Sequence, residues 1–447
     1  MNFSFLFKIF SEKLKKDRDF KELIRGSAIY FVVKLLGIFV SYLFTLFVTR
    51  HYGASVWGLF ALSLTVLQIT SVIGRFGLDI ALLRFIAEYK SQGKYGLAKL
   101  VYKKAASFVF LLSLLLALGL YISAPIISED IFGKKNLTVF IEIAALILPA
   151  FTLLYLNAES LRALKRIGLY IINQNVLPFS IAFAFLLLLT GLLNKNIYGV
   201  PISYLVAIYV SCFLSFIFLY REFKQFNNAS KEEISLINLL SISFPMLMAN
   251  SLTLIMSWTD VIMLGIFRSE FEVGIYSVVS KLSVLTSFTL AAINSIAAPK
   301  FAEFFSKGDL KSLEKFIQQT TKLIFLATIP IAFLFLMFST FILGLFGEDF
   351  KIGALALKIL IIGQIINAAA GSVGYLLLMT GHQKFHQKII VITFIINTLL
   401  NYLLIPKLGI IGASVSTSIT IIVGNVISVI YIKRNLGIKT YFIPWRD

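Results

Sequence analysis

The sequence predicts an all-α polytopic membrane protein with about twelve transmembrane helices, and three observations predict it. The first is composition: 58% of the 447 residues are hydrophobic and only 14% charged, with a mean hydropathy of +0.89. A soluble domain of this length carries charge at roughly a quarter of its positions, so most of this surface faces lipid. The second is length: apolar runs of about 18 residues or more, enough to cross a bilayer as a helix, recur along the whole chain. The third is the placement of Lys and Arg, which alternates between dense and sparse from one inter-run loop to the next.

Residues 1–26 precede the first run. Phe and Ile interleaved with lysines predict a cytoplasmic amphipathic segment lying on the membrane surface, and no apolar core ending at small residues marks a signal peptide. Six spans follow near 27–49, 56–82, 105–127, 138–158, 169–193 and 199–220, an N-terminal lobe over 27–220. The polar stretch 221–237 reads as a cytoplasmic inter-lobe loop. Six more spans near 238–266, 273–298, 320–346, 352–380, 387–406 and 409–432 form a C-terminal lobe over 238–432, and 433–447 is a cytoplasmic tail.

With both termini in the cytoplasm, cytoplasmic segments hold 30 of the 41 Lys and Arg, outward loops 7 and the spans 4. This is the positive-inside pattern, and it supports an even number of spans. The outward loops are each about a dozen residues or shorter, too small for a folded extracytoplasmic domain.

The two halves read as copies. Val56-Trp57-Gly58-Leu59-Phe60 opens the second span and Glu272-Val273-Gly274-Ile275-Tyr276 the eighth, 216 residues later. The same offset aligns Gly26-Ser27 with Ile242-Ser243 and 162–168 with 378–384. Six spans per half give a parallel repeat about an axis along the membrane normal, two six-helix lobes around a central cavity, and alternating access by rocking of the lobes.

A net charge of +19 raises the question of nucleic acid. The basic residues, however, sit in short loops between apolar runs, with no groove-reading or base-stacking element beside them. A single cysteine, Cys212, excludes an intrachain disulfide or a thiolate metal cluster. There is no Walker-type phosphate loop, HExxH, GxSxG or zinc-spaced set, so no cofactor or metal is expected and any transport is secondary. The three histidines, His51, His382 and His386, fall in loops.

Ionisable groups inside spans are costly unless they face a cavity or a partner. Lys34 in the first span and Lys281 in the eighth each have two readings: a cavity cation that receives a phosphate, or a lysine paired across helices or snorkelling to the interface. Arg75 and Asp79, four apart near the cytoplasmic end of the second span, share a helix face and can pair. Lys358 snorkels from the outer side. Glu142 and Asp260 are carboxylates within the fourth and seventh spans. A buried carboxylate can hold a proton or Na⁺; for Asp260 a structural salt bridge to Lys281 or Lys34 is the other reading. Glu159 and Arg162 close the fourth span. Asn157, Asn250, Asn367 and Asn397 lie inside spans, where amides hold helices together or face a polar ligand. Pro149, Pro178, Pro245 and Pro330 mark kinks.

Residues Lys34-Leu35-Leu36-Gly37 through Thr49-Arg50-His51-Tyr52-Gly53-Ala54 to Trp57-Gly58-Leu59-Phe60 resemble the polysaccharide transporter family of flippases in the MOP/MATE superfamily, as do Gly77-Leu78-Asp79 and Arg84-Phe85-Ile86-Ala87-Glu88-Tyr89. Further matches are Asp260 to Gly265 followed by Val273-Gly274-Ile275-Tyr276, Pro299-Lys300-Phe301, and Asn401-Tyr402 with Gly409-Ile410-Ile411-Gly412-Ala413. The resemblance implies export of an undecaprenyl-diphosphate-linked oligosaccharide repeat unit from the cytoplasmic to the outer face of an inner membrane, for cell-surface polysaccharide such as O-antigen, by a monomeric protein that is not an enzyme. It implies a cationic cavity in which Lys34, Arg75 and Lys281 meet the diphosphate and Asp260 or Glu142 couples to H⁺ or Na⁺. Asn157, Asn250, Asn367 and Asn397 are then the candidates for sugar hydroxyls. The peptidoglycan-precursor branch of the superfamily usually carries two further helices; a chain ending after the twelfth span argues against that branch.

Two other classes stand beside this reading. An ion-coupled multidrug or toxin extruder of the same fold wants an acidic, aromatic cavity, whereas a diphosphate wants a basic one; the spans hold Lys34, Arg75, Lys281 and Lys358 against Asp79, Glu142 and Asp260. A membrane glycan polymerase or glycosyltransferase predicts catalytic carboxylates or an Arg-rich long loop, and none is visible.

Overall fold

Backbone in hydrocarbon must satisfy its own hydrogen bonds, which a helix does within one segment. The computed structural model describes residues 18–192, 196–224 and 235–441, and among them there are helices and no strands. Most of the amphipathic segment expected over 1–26 therefore lies outside the described residues. The helices are α1 (Arg18–Arg75), α2 (Leu78–Ser91), α3 (Tyr95–Pro125), α4 (Leu137–Ala163), α5 (Ile167–Ile171), α6 (Leu177–Leu192) and α7 (Gly199–Lys224). They continue with α8 (Leu236–Phe267), α9 (Glu270–Ser306), α10 (Leu310–Gly344), α11 (Ala354–Ala370), α12 (Val373–Met379), α13 (Gln383–Leu408) and α14 (Ile410–Leu436).

Among the described residues, ten helical stretches are long and apolar enough to cross a membrane. One of them, Tyr30–Arg75, has 46 residues, about twice a single crossing. It divides at Gly53, whose φ of 84° and ψ of 177° suit a residue without Cβ, and so supplies two spans. Helix α8 adds another, its apolar stretches Leu236–Met248 and Leu254–Phe267 each falling short of a full crossing. The expected all-α architecture of about twelve spans is the observed one.

The apolar runs pass over breaks that they do not announce. Phe76 and Gly77 both have positive φ, 51° and 74°, and end α1 inside the run expected over 56–82. Gly371, at φ 74° and ψ −145°, separates α11 from α12 inside the run expected over 352–380. In α10 the departure from helical dihedrals falls at Phe338 (φ −109°, ψ 20°) and not at Pro330.

Residue contacts divide the chain into two compact units, the first made of Met1–Thr45, Leu67–Ser123 and Ile141–Met248, the second of Leu46–Val66, Ala124–Phe140 and Ala249–Asp447. In the first, the buried amide of Asn157 on α4 accepts from the Tyr102 hydroxyl of α3 at 2.7 Å and donates to Ser215 of α7 at 2.8 Å, tying three helices.

In the second unit, residues 54–58 lie backbone to backbone against the start of α9. A Cβ on Gly58 would run into the Glu270 carbonyl and the Gly274 nitrogen, and one on Gly274 into the Ala54 carbonyl and the Gly58 nitrogen. Ala54 and Glu270, like Gly58 and Gly274, are 216 positions apart. The contact is thus reciprocal under the internal repeat, as contacts across a two-fold axis are. Two cations also bind in this unit: Lys134 Nζ donates to the carbonyls of Phe132 at 2.9 Å and Gly265 at 2.5 Å, and Arg50 Nε to that of Leu345 at 2.6 Å. Gly265 and Leu345 stand at the C-terminal ends of α8 and α10, where helix dipoles favour a cation. Burial pushes the Lys134 amine below the ordinary lysine value.

Candidate functional site

In the first unit, two of the three basic residues expected to meet a phosphate belong to one polar network. Lys34 Nζ on α1 donates to the Tyr30 hydroxyl, one turn back, at 3.1 Å and lies 5.2 Å from that ring's centroid. The Tyr30 phenol is within electrostatic reach of Tyr170, which hydrogen-bonds Glu159 on α4. Glu159 pairs with Arg162 at 3.3 Å, and Gln174 approaches its other oxygen at 3.5 Å. The Arg162 guanidinium in turn lies 5.3 Å over the Tyr170 ring. One turn back on α4, the Tyr155 ring carries the Arg75 guanidinium at 4.8 Å. Arg75 pairs with Asp79 at 2.8 Å and donates from Nε to the Ser71 carbonyl at 3.3 Å.

The local structure explains these placements. Arg75 ends α1 and Asp79 stands in the first turn of α2, so the pair expected on one continuous helix face forms across the Phe76–Gly77 break. Gln174 sits in the π-helical turn Ile172–Val176, a distortion that recurs at functional sites because it re-aims side chains. Chemically, the network offers cations on aromatic faces beside acid and amide groups, a composition suited to an anionic, hydroxyl-rich ligand.

In the second unit the centre is Asp260 on α8. Its Oδ2 accepts from the Tyr276 hydroxyl of α9 at 2.5 Å and from the Thr417 hydroxyl of α14. Its Oδ1 accepts from the amides of Asn401 at 2.7 Å and Asn397 at 3.4 Å, both on α13. Asn401 Nδ2 also bonds Asn397 Oδ1 at 3.1 Å. These four donors are neutral, two hydroxyls and two amides. Lys281 on α9 belongs to this unit as well, with Nζ 5.8 Å from the Trp57 ring centroid.

The remaining expected residues are dispersed. Asn157 is used in the helix tie described above. Asn367 donates to Gln364 at 3.2 Å and accepts from Asn425 at 3.0 Å, joining α11 to α14. The side chain of Asn250 lies outside the described residues. Glu142 is half-buried on α4 and makes no hydrogen bond or ion pair with a described residue. Lys358 is exposed on α11. Among the described residues no three His, Cys, Asp or Glu gather as a metal site would require. Sequence reasoning did not single out Tyr30, Tyr155, Tyr170, Tyr276 or Thr417. The spacing of Tyr30 to Lys34 and of Tyr155 to Glu159, four residues in each case, was the available signal.

The polysaccharide biosynthesis protein family matches residues 23–305, and the MatE family residues 245–403. The probable low-salt glycan biosynthesis flippase Agl15 of Haloferax volcanii is 30% identical over 192 residues, 42% of this chain and 41% of that protein, so the chain matches under half the length of this relative. Among solved structures, the lipid II flippase MurJ in an inward closed conformation aligns at a TM-score of 0.70 with 17% identity, covering 92% of this chain and 87% of MurJ. An inward-facing multidrug resistance MATE family transporter of the MOP superfamily aligns at 0.73 with 15% identity, covering 92% and 94%. These two likenesses show the fold.

Proposed function

The chain belongs to the polysaccharide biosynthesis protein family, and from that membership we propose that it is a flippase moving a polyprenyl-diphosphate-linked oligosaccharide from the cytoplasmic to the outer face of a cell's inner membrane. The observation that carries this reading is the first-unit cluster, in which Lys34 on Tyr30 and Arg75 on Tyr155 lie within electrostatic reach of the group formed by Glu159, Arg162 and Tyr170. Cations on aromatic faces suit a diphosphate, and the adjoining tyrosines and Gln174 suit a pyranose, whose face is apolar and whose rim is hydroxyl. The flippase name of the Haloferax relative points the same way.

In this reading the lobes are 27–220 and 238–432, both termini are cytoplasmic, and one chain alternates between inward and outward states. The carrier lipid is of the undecaprenyl type. Asp260 is the coupling carboxylate, taking a proton or Na⁺ among its neutral donors. With Asn157 and Asn367 held in helix ties, saccharide contact falls to Gln174 and the tyrosine faces.

The MatE match over 245–403 favours one second reading, an ion-coupled extruder of organic cations. Proteoliposome translocation separates the two. A short-chain polyprenyl diphosphate saccharide is expected to cross with wild type and to slow about a hundredfold with Lys34→Ala/Arg75→Ala, the loss of two charge-assisted contacts. Dye cation movement without saccharide movement would establish the extruder instead.

A further inference from the structure

The carboxylates of the first-unit network have no role yet in the flippase reading, on which this inference rests. Each arginine there is already occupied: Arg75 by Asp79 at 2.8 Å, Arg162 by Glu159 at 3.3 Å. The arrangement occurs twice, since each pair also has its own tyrosine face, Tyr155 under Arg75 and Tyr170 under Arg162. The side chains of Arg75, Asp79 and Glu159 are 13%, 14% and 15% exposed, and that of Arg162 49%. Water is scarce enough for the ion pairs to hold, yet a ligand can reach them from the Arg162 side.

An unoccupied pair of arginines in a membrane protein faces a standing competitor. Phospholipids of net negative charge, such as phosphatidylglycerol, present a phosphodiester that no headgroup cation neutralises, and guanidinium binds phosphate oxygens bidentately. We propose that Asp79 and Glu159 are specificity-determining residues: resident counter-ions that withhold Arg75 and Arg162 from monoanionic phosphodiester lipids and yield them to a diphosphate.

The argument is one of charge. A phosphodiester headgroup brings one negative charge against two resident carboxylates; it displaces one, leaves that carboxylate without its cation, and gains nothing by the exchange. The two pairs are neighbours, with Glu159 within electrostatic reach of Asp79 and Tyr155 interacting with both Arg75 and Glu159, so a diphosphate ester, which brings charge on two linked phosphates, can engage both arginines. The Glu159 that it displaces retains neutral donors in Tyr170 and Gln174. The tyrosine faces hold the guanidiniums in position during the exchange. When the diphosphate leaves, the carboxylates return, so neither state strands a buried cation.

The test uses the full chain in phosphatidylcholine nanodiscs, with and without phosphatidylglycerol, and reads the affinity for a short-chain polyprenyl diphosphate. Wild type is expected to bind it equally in both. In Asp79→Asn/Glu159→Gln, phosphatidylglycerol is expected to weaken that affinity by about tenfold or more, one ion pair's worth of discrimination. Asp79→Glu/Glu159→Asp, which keeps both charges, is expected to restore indifference. The single variants Asp79→Asn and Glu159→Gln are read the same way and are each expected to show the sensitivity in part, so the test survives if the double variant fails to fold. A folded neutral variant that ignores phosphatidylglycerol, or a charge-keeping variant as sensitive as the neutral one, overturns the inference while leaving the flippase reading standing. Wild type that binds no polyprenyl diphosphate overturns both.

Discussion

Asp260 shows how a carboxyl group is accommodated inside an apolar bundle. Two hydroxyls and two amides donate to it, and hydrogen bonds to an ionised acceptor are about twice as strong as neutral ones. Such a carboxylate can exchange its ionised form for a protonated or Na⁺-bound one without breaking a salt bridge. Asp260→Asn is therefore expected to leave the protein folded and to remove the dependence of saccharide translocation on the ion gradient, measured as the ratio of rates with and without a gradient. A ratio unchanged from wild type would take Asp260 out of the coupling. Asp260 was legible in the sequence because a carboxylate in an apolar run stands out. Of its partners, the amides Asn397 and Asn401 also stood out in an apolar run, but Tyr276 and Thr417 did not: they lie 16 and 157 residues away, and hydroxyl groups in membrane helices are too common to mark a site. Arg75 and Asp79 were legible as a pair for a reason the structure changes, since a helix break, and not a continuous face, sets them side by side.

At the scale of elements, the spans were readable from length and hydropathy because the bilayer imposes both. The breaks at Phe76–Gly77 and Gly371 were not, since an apolar residue in left-handed conformation reads like any other apolar residue. The 216-residue offset is where pattern and structure meet most closely. It was drawn from Gly58 and Gly274 as sequence equivalents, and in the structure the two backbones touch. Valine at either position would place side-chain atoms against a carbonyl of the facing segment, a clash that a backbone cannot relieve by changing rotamer. Gly58→Val and Gly274→Val are each expected to cost about 2 kcal/mol or more, seen as similar falls in thermal unfolding midpoint in detergent. A large fall at one position with none at the other would contradict the reciprocity.

For the whole molecule, membrane class followed from composition and helix number from the lengths of the apolar runs, while the grouping of 46–66 and 124–140 with the C-terminal segments did not. That grouping depends on contacts such as Lys134 to Gly265, between residues 131 positions apart, which periodicity cannot register. The orientation argument is open to direct measurement. In a Cys212→Ala background, Lys351→Cys is expected to react with a membrane-impermeant maleimide added outside intact cells, and Lys94→Cys only after permeabilisation. The opposite pattern would invert the topology.

The contact around Gly58 and Gly274 carries a historical consequence. A surface that meets its own counterpart under a fixed shift along the chain is one by which two separate copies of a half-length ancestor could have dimerised. In such a dimer one codon would have supplied both glycines, so a single mutation would have struck both sides of the axis together. A duplication and fusion of that ancestor would give each glycine its own codon while leaving each pressed against the other's backbone, as Gly58 and Gly274 are. At this contact the steric demand falls on Gly58 and Gly274 alike, so neither half can change its glycine without meeting the other's backbone.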